Sequence, residues 1–134
     1  MKRRSYLKTM LAATAGLSGA GAQEAKKQAQ NPVVLHVDLA VDPAKEQEML
    51  HNFHTIFKPA AAKFPGYIDV KMCKLRSALQ GAAPSGVNYR FQLTYQSEEL
   101  RQKWVASDVH QKAWLTLENT LKAKNYVVLL FDSE

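Results

Sequence analysis

The sequence predicts a single α+β domain of the ferredoxin-like type, a four-stranded antiparallel sheet with two helices on one face. Three observations predict it. Some stretches alternate apolar and polar residues as half-buried strands do, others repeat apolar residues at helical spacing, and together they follow the order βαββαβ. Right-handed crossovers then fix the strand order as 4-1-3-2. A chain of 134 residues has room for one such domain.

Four segments have the pattern of strands. Alternation is clearest in Val33–Val41 and Val87–Gln96, where the odd-numbered positions are apolar. Tyr67–Arg76 alternates less regularly. Its apolar set is Ile68, Val70 and Met72. Tyr126–Phe131 is a continuous apolar run, which is typical of a strand covered on both faces.

The first helix is predicted between the first two strands. Asp42 is its expected N-cap and Pro43 its first helical residue. Pro59 is expected to kink this helix or to end its regular part. The predicted buried stripe consists of Met49, Phe53, Ile56, Phe57, Ala60 and Phe64.

The second helix starts after Ser97 and changes phase along its length. Leu100 and Trp104 share one face. A second stripe consists of Val109, Ala113, Leu117 and Leu121. The step from 104 to 109 turns a regular helix by about 140°, so one straight helix cannot bury both stripes. We therefore expect a bend at Ala106–Asp108, with Ser107 or Asp108 capping a second helical piece.

Residues 1–22 are interpreted as an export signal, residues 23–32 as a polar linker and residues 33–134 as the domain. The signal has a basic start, a mildly apolar stretch of 14 residues over 9–22, and the cleavage pattern Ala20-Gly21-Ala22 before Gln23. A spanning helix needs about 20 apolar residues. Contact with the membrane is therefore expected only during export.

The segment Arg3-Arg4-Ser5-Tyr6-Leu7-Lys8 resembles the bacterial twin-arginine signal. The resemblance implies export of the folded protein to the periplasm. An ordinary secretory signal with a chance arginine pair is the alternative.

Charge and cysteine content exclude several classes of function. The net charge is +6, but without residues 1–22 there are 14 basic and 12 acidic residues, so no electrostatic attraction to nucleic acid is expected. The single cysteine, Cys73, excludes an internal disulfide and a multi-cysteine metal site. His51 and His54 have a spacing that metal ligands use, but no carboxylate lies at a matching position, and we expect no metal.

If the apolar residues of the strands face the helices, the other sheet face is polar. It would present His36, Asp38, Asp69, Lys71, Arg90, Gln92 and Thr94. Asp38 and Arg90 lie on neighbouring strands and are expected to pair. Such a face suits a wet dimer interface or a ligand-lined cleft, and we place His36, Asp38 and Arg90 at a homodimer interface.

Two segments resemble the antibiotic-biosynthesis-monooxygenase type of the dimeric α/β-barrel superfamily. They are Phe64-Pro65-Gly66-Tyr67, between the first helix and the second strand, and Trp104–Gln111 (WVASDVHQ) in the second helix. The resemblance implies a homodimer whose sheets pack face to face, with a pocket between helices and sheet in each subunit. Members of the superfamily include cofactor-independent oxygenases of electron-rich aromatics, haem-degrading enzymes, isomerases and proteins with no assigned activity.

The haem-degrading branch is a poorer match. It has a Trp, then Ser-Asp-Val, then a haem-ligating His ten residues after the Trp, and an Asn in the first strand. Trp104 and Ser107-Asp108-Val109 match, but the tenth position is Trp114 and the Asn position falls near His36. No cofactor is therefore expected. The alternative is a shifted haem ligand at His110.

The candidate site residues lie mainly on the second helix. His110 is the candidate general base, because its reference pKa of about 6.5 suits removal of a phenolic proton, and it shares a helix face with Trp114. A half-exposed helix histidine is the plainer alternative. Trp104 either stacks on a planar ligand or fills the core. The predicted substrate-binding set is Trp104, Trp114, His54 and Tyr67.

Two hypotheses from different classes follow. The first is an exported, cofactor-independent monooxygenase that acts on a small aromatic or quinol-like substrate. The second is a noncatalytic dimeric protein of the cell envelope that binds a small planar ligand such as haem.

Overall fold

Four antiparallel strands form one sheet. They are β1 (Val33–Leu39), β2 (Tyr67–Lys74), β3 (Tyr89–Tyr95) and β4 (Val127–Asp132), in the spatial order β2-β3-β1-β4. This confirms the predicted strand order, with β2 and β4 at the edges. The chain is described by a computed structural model that covers residues 31–134. The predicted export signal and most of the predicted linker lie outside the described residues.

The alternation predicted for the two central strands is confirmed. Val33, Val37 and Leu39 are buried in β1. The buried residues of β3 are Tyr89, Phe91, Leu93 and Tyr95. These side chains form the sheet side of the core beneath the helices. No helix in the described part of the chain combines the length and the apolar character needed to cross a membrane.

The apolar set predicted for the second strand is only partly correct. Val70 is buried, whereas Ile68 is 46% exposed. The reason is a bulge, because Tyr67 pairs with Tyr95 while Asp69 pairs with Thr94. The extra residue on β2 moves Ile68 off the core face and places Tyr67 towards Tyr95.

The last strand was predicted to be covered on both faces. Within the described residues of a single chain, this prediction is wrong. Every residue of β4 is exposed, and Val128 and Leu129 are exposed by 51% and 44%. Among the described strands β4 pairs only with β1, and its register turns Val128 to the helix side and Leu129 to the outer sheet face. The outer face is therefore apolar along β4, in contrast to the polar face that was predicted.

The first helical segment contains four pieces. A 3₁₀ turn (Pro43–Lys45) leads into α1 (Glu46–Asn52), a π-helical turn (Phe53–Phe57) and α2 (Lys58–Ala62). Asp42 caps the segment as predicted, because its side chain accepts a hydrogen bond from the Ala44 N–H at 2.9 Å. The π turn lies just before Pro59, which has no N–H to continue an α-helical ladder. An irregularity at Pro59 is thus observed, but regular helix resumes in α2, with Pro59 in its first turn.

The π turn changes which residues are buried. Met49, Phe53, Phe57 and Ala61 are buried, at a constant spacing of four, whereas Ile56 is 41% exposed. A π turn holds more residues than an α turn. The predicted burial of Phe57 is therefore confirmed, whereas Ile56 is exposed and Ala61 is buried in place of the half-buried Ala60.

The second helical segment breaks where the sequence predicts. α3 (Glu98–Ala106) and α4 (Asp108–Glu118) are separated by Ser107, whose backbone is extended. The Ser107 hydroxyl accepts from the His110 N–H at 3.1 Å and donates to the Trp104 carbonyl at 2.6 Å. Of the second predicted stripe, Ala113 and Leu117 are buried, whereas Val109, in the first turn of α4, is 53% exposed.

Gly66 has a structural reason for its place before β2. Its φ is +94°, a backbone conformation that side chains disfavour. A Cβ at this position would also lie 2.6 Å from a Leu100 methyl carbon. The turn therefore lets the end of the first helical segment pack closely against α3.

Candidate functional site

A cavity of about 290 Å³ lies between the helices and the sheet. Its apolar walls are formed by Leu35, Val37, Phe57, Phe91, Leu93, Val105 and Val128. Its polar lining residues are Arg101, His110, Trp114 and Tyr126. The volume is near the lower end of the range for small-molecule sites.

His110 lines this cavity from the first turn of α4. Its Nδ1 is buried and has no hydrogen-bond partner within the described part of the chain. Its ring lies parallel to that of Trp114, with centroids 6.3 Å apart, and edge-on to Trp104 at 5.1 Å. Burial lowers the pKa of His110, and the charge of Arg101 lowers it further, against a raising backbone contact at Val105. His110 is therefore neutral at pH 7.

Arg101 enters the cavity lining from α3. Its Nε and one Nη each donate a hydrogen bond to the Glu98 carboxylate at 2.6 Å. The two residues lie three apart, about one helical turn, and form a bidentate ion pair. Gln102 also donates to Glu98, at 2.8 Å. The Arg101 hydrogen bond is the main reason that the pKa of Glu98 is lowered. Glu98 does not line the cavity.

Trp114 and Tyr126 are joined by a short hydrogen-bonded chain. Trp114 Nε1 donates to the Tyr126 hydroxyl at 3.0 Å, and that hydroxyl donates to Glu118 at 2.7 Å. Burial raises the pKa of Tyr126, and the hydrogen bond to Glu118 raises it further. These two hydrogen bonds fix the orientation of the Trp114 ring on the cavity wall.

Of the predicted substrate-binding residues, only Trp114 lies at the cavity. Trp104 is fully buried but outside the lining set, enclosed by Phe57 at 5.8 Å and Phe64 at 5.4 Å between ring centroids. Its alternative interpretation as a core residue is the one that the geometry supports. Phe57, turned inwards by the π segment, lines the cavity instead.

His54 and Tyr67 also lie outside the cavity. His54 is exposed beside Phe53, because the first helical segment turns Phe53 and Phe57 inwards. Tyr67 packs edge-on against Tyr95, with ring centroids 6.5 Å apart. Within residues 31–134, no group of three or more His, Cys, Asp or Glu side chains is placed to hold a metal ion.

The outer sheet face carries the predicted polar pairs. Arg90 donates to both carboxylate oxygens of Asp38, at 2.7 and 3.1 Å, which confirms their pairing. His36 is hydrogen-bonded to Gln92 at 3.0 Å, and its ring lies 5.0 Å from that of Phe131. Beside these pairs lies the apolar strip of β4.

Sequence reasoning missed Arg101, Tyr126 and Phe57 as lining residues. The spacing of Glu98 and Arg101 could have indicated their pair, since residues three apart meet on a helix. No sequence signal places Tyr126 beside Trp114, because that contact depends on how β4 joins the sheet.

Comparison with known proteins gives no match to a protein-family model and no match to a curated protein by sequence. Solved structures do match. A candidate antibiotic biosynthesis monooxygenase from Caulobacter crescentus CB15 has a TM-score of 0.62 and 20% identity, over 84% of this chain and 98% of that one. SnoaB, a cofactor-independent oxygenase from Streptomyces nogalater, has a TM-score of 0.59 and 13% identity, over 78% and 94%.

A third neighbour is described as a dimeric ferredoxin-like protein of unknown function, from Jannaschia sp. CCS1. It has a TM-score of 0.59 and 18% identity, over 77% of this chain and 98% of that one. At these identities the likeness shows the fold. The chain has the ferredoxin-like fold, and its structural neighbours include proteins of the antibiotic-biosynthesis-monooxygenase type.

Proposed function

We propose that this chain is a cofactor-independent monooxygenase that binds a small hydroxylated aromatic compound in the cavity. One observation carries the proposal: a buried imidazole nitrogen with no hydrogen-bond partner among the described residues belongs to a side chain that lines an apolar, aromatic-walled cavity. A buried polar atom in this position gains a hydrogen bond when a ligand hydroxyl reaches it. The description of SnoaB as a cofactor-independent oxygenase supports the choice of reaction.

The reaction uses the substrate itself as the source of electrons. His110 accepts the proton of the ring hydroxyl, which leaves an electron-rich anion. A ring methylene activated by that anion then reacts with O₂, so that one oxygen atom becomes the new carbonyl and the other leaves as water with the two methylene hydrogens. The methylene carbon loses four electrons and the two oxygen atoms gain four.

Oxygen consumption tests this function. Wild-type protein is screened in air against anthrones, hydroquinones and haem, with an oxygen electrode and absorbance readout. A positioned base contributes about 10²- to 10⁴-fold, so His110→Ala should reduce oxygen consumption by that factor and change ligand affinity little. Trp114→Ala should mainly weaken binding, because it removes a wall of the cavity.

The control is His54→Ala, which removes an exposed histidine on the first helical segment and should keep full turnover. Equal turnover by His110→Ala and wild type would eliminate His110 as the base. Ligand binding without any oxygen consumption by wild type would favour the noncatalytic binder.

We also propose that the protein acts as a homodimer through its outer sheet face and that the twin-arginine segment exports it to the periplasm. The apolar strip on β4 and the dimeric neighbour support the first proposal. The pattern of residues 1–22 supports the second. N-terminal sequencing of the periplasmic protein tests export, since the mature chain should begin at Gln23.

A further inference from the structure

His110 is a weak base at its position in the cavity. Burial and the nearby Arg101 both disfavour the imidazolium form. A simple phenol ionises near pH 10 and an unperturbed imidazole near pH 6.5, so the equilibrium opposes proton transfer between them by more than about 10³-fold. A ligand whose hydroxyl ionises easily, together with a group that stabilises its anion, removes this barrier.

Arg101 is placed to provide that stabilisation. It is the one permanently charged side chain among the described residues that line the cavity, and the other titratable lining groups are His110 and Tyr126. The hydroxyl of Tyr126 is already directed to Glu118. Arg101 lines the cavity and Glu98 does not, so the cationic residue of their pair is the one that borders the cavity.

Glu98 fixes the guanidinium without cancelling its effect on the ligand. The bidentate contact uses the Nε–H and one Nη–H of the five N–H donors of an arginine, which leaves three for other partners. A bidentate arginine has little freedom to turn away from the cavity. The pair therefore presents a fixed cation to the cavity.

We propose that the cavity holds its ligand as an oxyanion against Arg101, with Glu98 as the positioning residue, and that the substrate is an acidic hydroxylated ring that also carries a ring methylene, such as the enol of a cyclic β-dicarbonyl. This inference rests on the proposed function and names its substrate class. The step breaks the ligand O–H bond and moves its proton to His110, from which it passes to solvent, and no electrons are transferred.

Binding of 4-nitrophenol tests the inference, because its phenolate absorbs visible light and its phenol form does not. At a pH where the free probe is half ionised, the ratio of phenolate to phenol in the bound probe should exceed that of the free probe by about tenfold. Val105→Trp, which fills the cavity, should abolish binding and so locate the probe.

Substitutions that remove the charge of Arg101 and of Glu98 should change the excess of bound phenolate in opposite directions. Arg101→Leu should remove the excess of bound phenolate, and Arg101→Lys, which keeps the charge, should retain part of it. Glu98→Gln removes the countercharge and should increase the excess. A merely structural role of the pair predicts that Arg101→Leu and Glu98→Gln act in the same direction, since both break it.

The same helix offers a matched control. Lys103 and Glu99 form an exposed pair at 4.0 Å that does not line the cavity. Lys103→Leu and Glu99→Gln should leave the bound ratio at the wild-type value. Bound probe with no phenolate excess in wild type, or same-direction effects at Arg101 and Glu98, would overturn the inference alone. Failure of wild type to bind the probe would overturn the proposed function, and the inference with it.

Discussion

Phe57 organises much of the aromatic surroundings of the site. Its ring lies 5.8 Å from Trp104, 6.1 Å from His110 and 6.0 Å from Trp114, measured between centroids, and is fully buried. Such edge-to-face contacts hold aromatic rings in defined orientations. The imidazole of His110 is consequently held among apolar rings, and this environment accounts for its lowered pKa.

The lowered pKa of His110 predicts how stability depends on pH. The folded state keeps His110 neutral at a pH where the unfolded chain, with a pKa of about 6.5, already takes up the proton. The contribution of this residue to the free energy of unfolding is therefore present above about pH 6.5 and is lost as the pH falls towards the folded pKa. His110→Gln should show a smaller loss over that range in denaturant titrations.

An NMR titration of the imidazole C–H signal checks the same point directly. The signal that disappears in His110→Gln should titrate below pH 6.5 in the wild-type protein. A midpoint at or above that value would contradict the burial argument.

His110 and Trp114 could be predicted as neighbours from their spacing on one helix. The exclusion of Trp104 from the cavity could not, because it depends on Phe57 and Phe64 enclosing the indole. Arg101 has its partner Glu98 three residues away, whereas Tyr126 contacts Trp114 and Glu118 twelve and eight residues away. Their shared place at the cavity depends on how the two helical segments lie over the sheet. Sequence patterns therefore indicated the candidate base and one wall of the cavity, and tertiary packing determined the rest.

At the scale of elements, Ser107 separates α3 from α4, and each of these helices packs its own apolar side chains into the core. Its side chain ends α3 through the Trp104 carbonyl and begins α4 through the His110 N–H. The break could be predicted because the two apolar stripes cannot lie on one face of a straight helix. Its position also sets where His110 points.

Ser107→Ala should lower the free energy of unfolding by about 1 kcal/mol, since loss of an N-cap side chain typically costs that much. Denaturant titration measures the change. Ser107→Thr keeps a hydroxyl in the cap and should retain most of the stability. An equal loss of unfolding free energy in the two variants would show that the loss does not come from the cap hydroxyl.

The errors made from sequence at this scale share one physical cause. Ile56 and Ile68 were both predicted to be buried, and both are exposed. Ile56 lies in the π turn and Ile68 in the β-bulge, and each irregularity adds a residue that shifts the phase of what surrounds it. Periodicity arguments assume a regular element, so an inserted residue is invisible to them unless a residue such as Pro59 marks it.

At the scale of the whole molecule, one face of the sheet has helices and the other has none within the described residues. The uncovered face combines charged pairs of both signs with the apolar strip of β4. A second copy related by a two-fold axis could satisfy both, because such an interface brings the same surface of each copy together. The interface should bury at least about 1,000 Å².

Leu129→Glu should therefore convert a dimer into a monomer at micromolar concentration, as measured by light scattering. Leu129 is 44% exposed on the outer face. Val109→Glu is the matched control, because Val109 is similarly apolar and 53% exposed but lies on α4; this variant should stay dimeric. A monomeric wild-type protein at this concentration would contradict the proposed interface, and with it a barrel formed by the sheets of two subunits.

The two edges of the sheet differ in their resistance to aggregation. β2 carries Asp69, Lys71 and Lys74, charges of the kind that keep an open edge from pairing with another chain. Along β4, five consecutive apolar residues, Val127–Phe131, precede the first charge at Asp132. Such a segment has the composition of a cross-β core, and no strand among residues 31–134 pairs with its outer edge. Dissociated subunits at high concentration are therefore expected to form fibrils nucleated at this strand, and β2 should remain outside their ordered core.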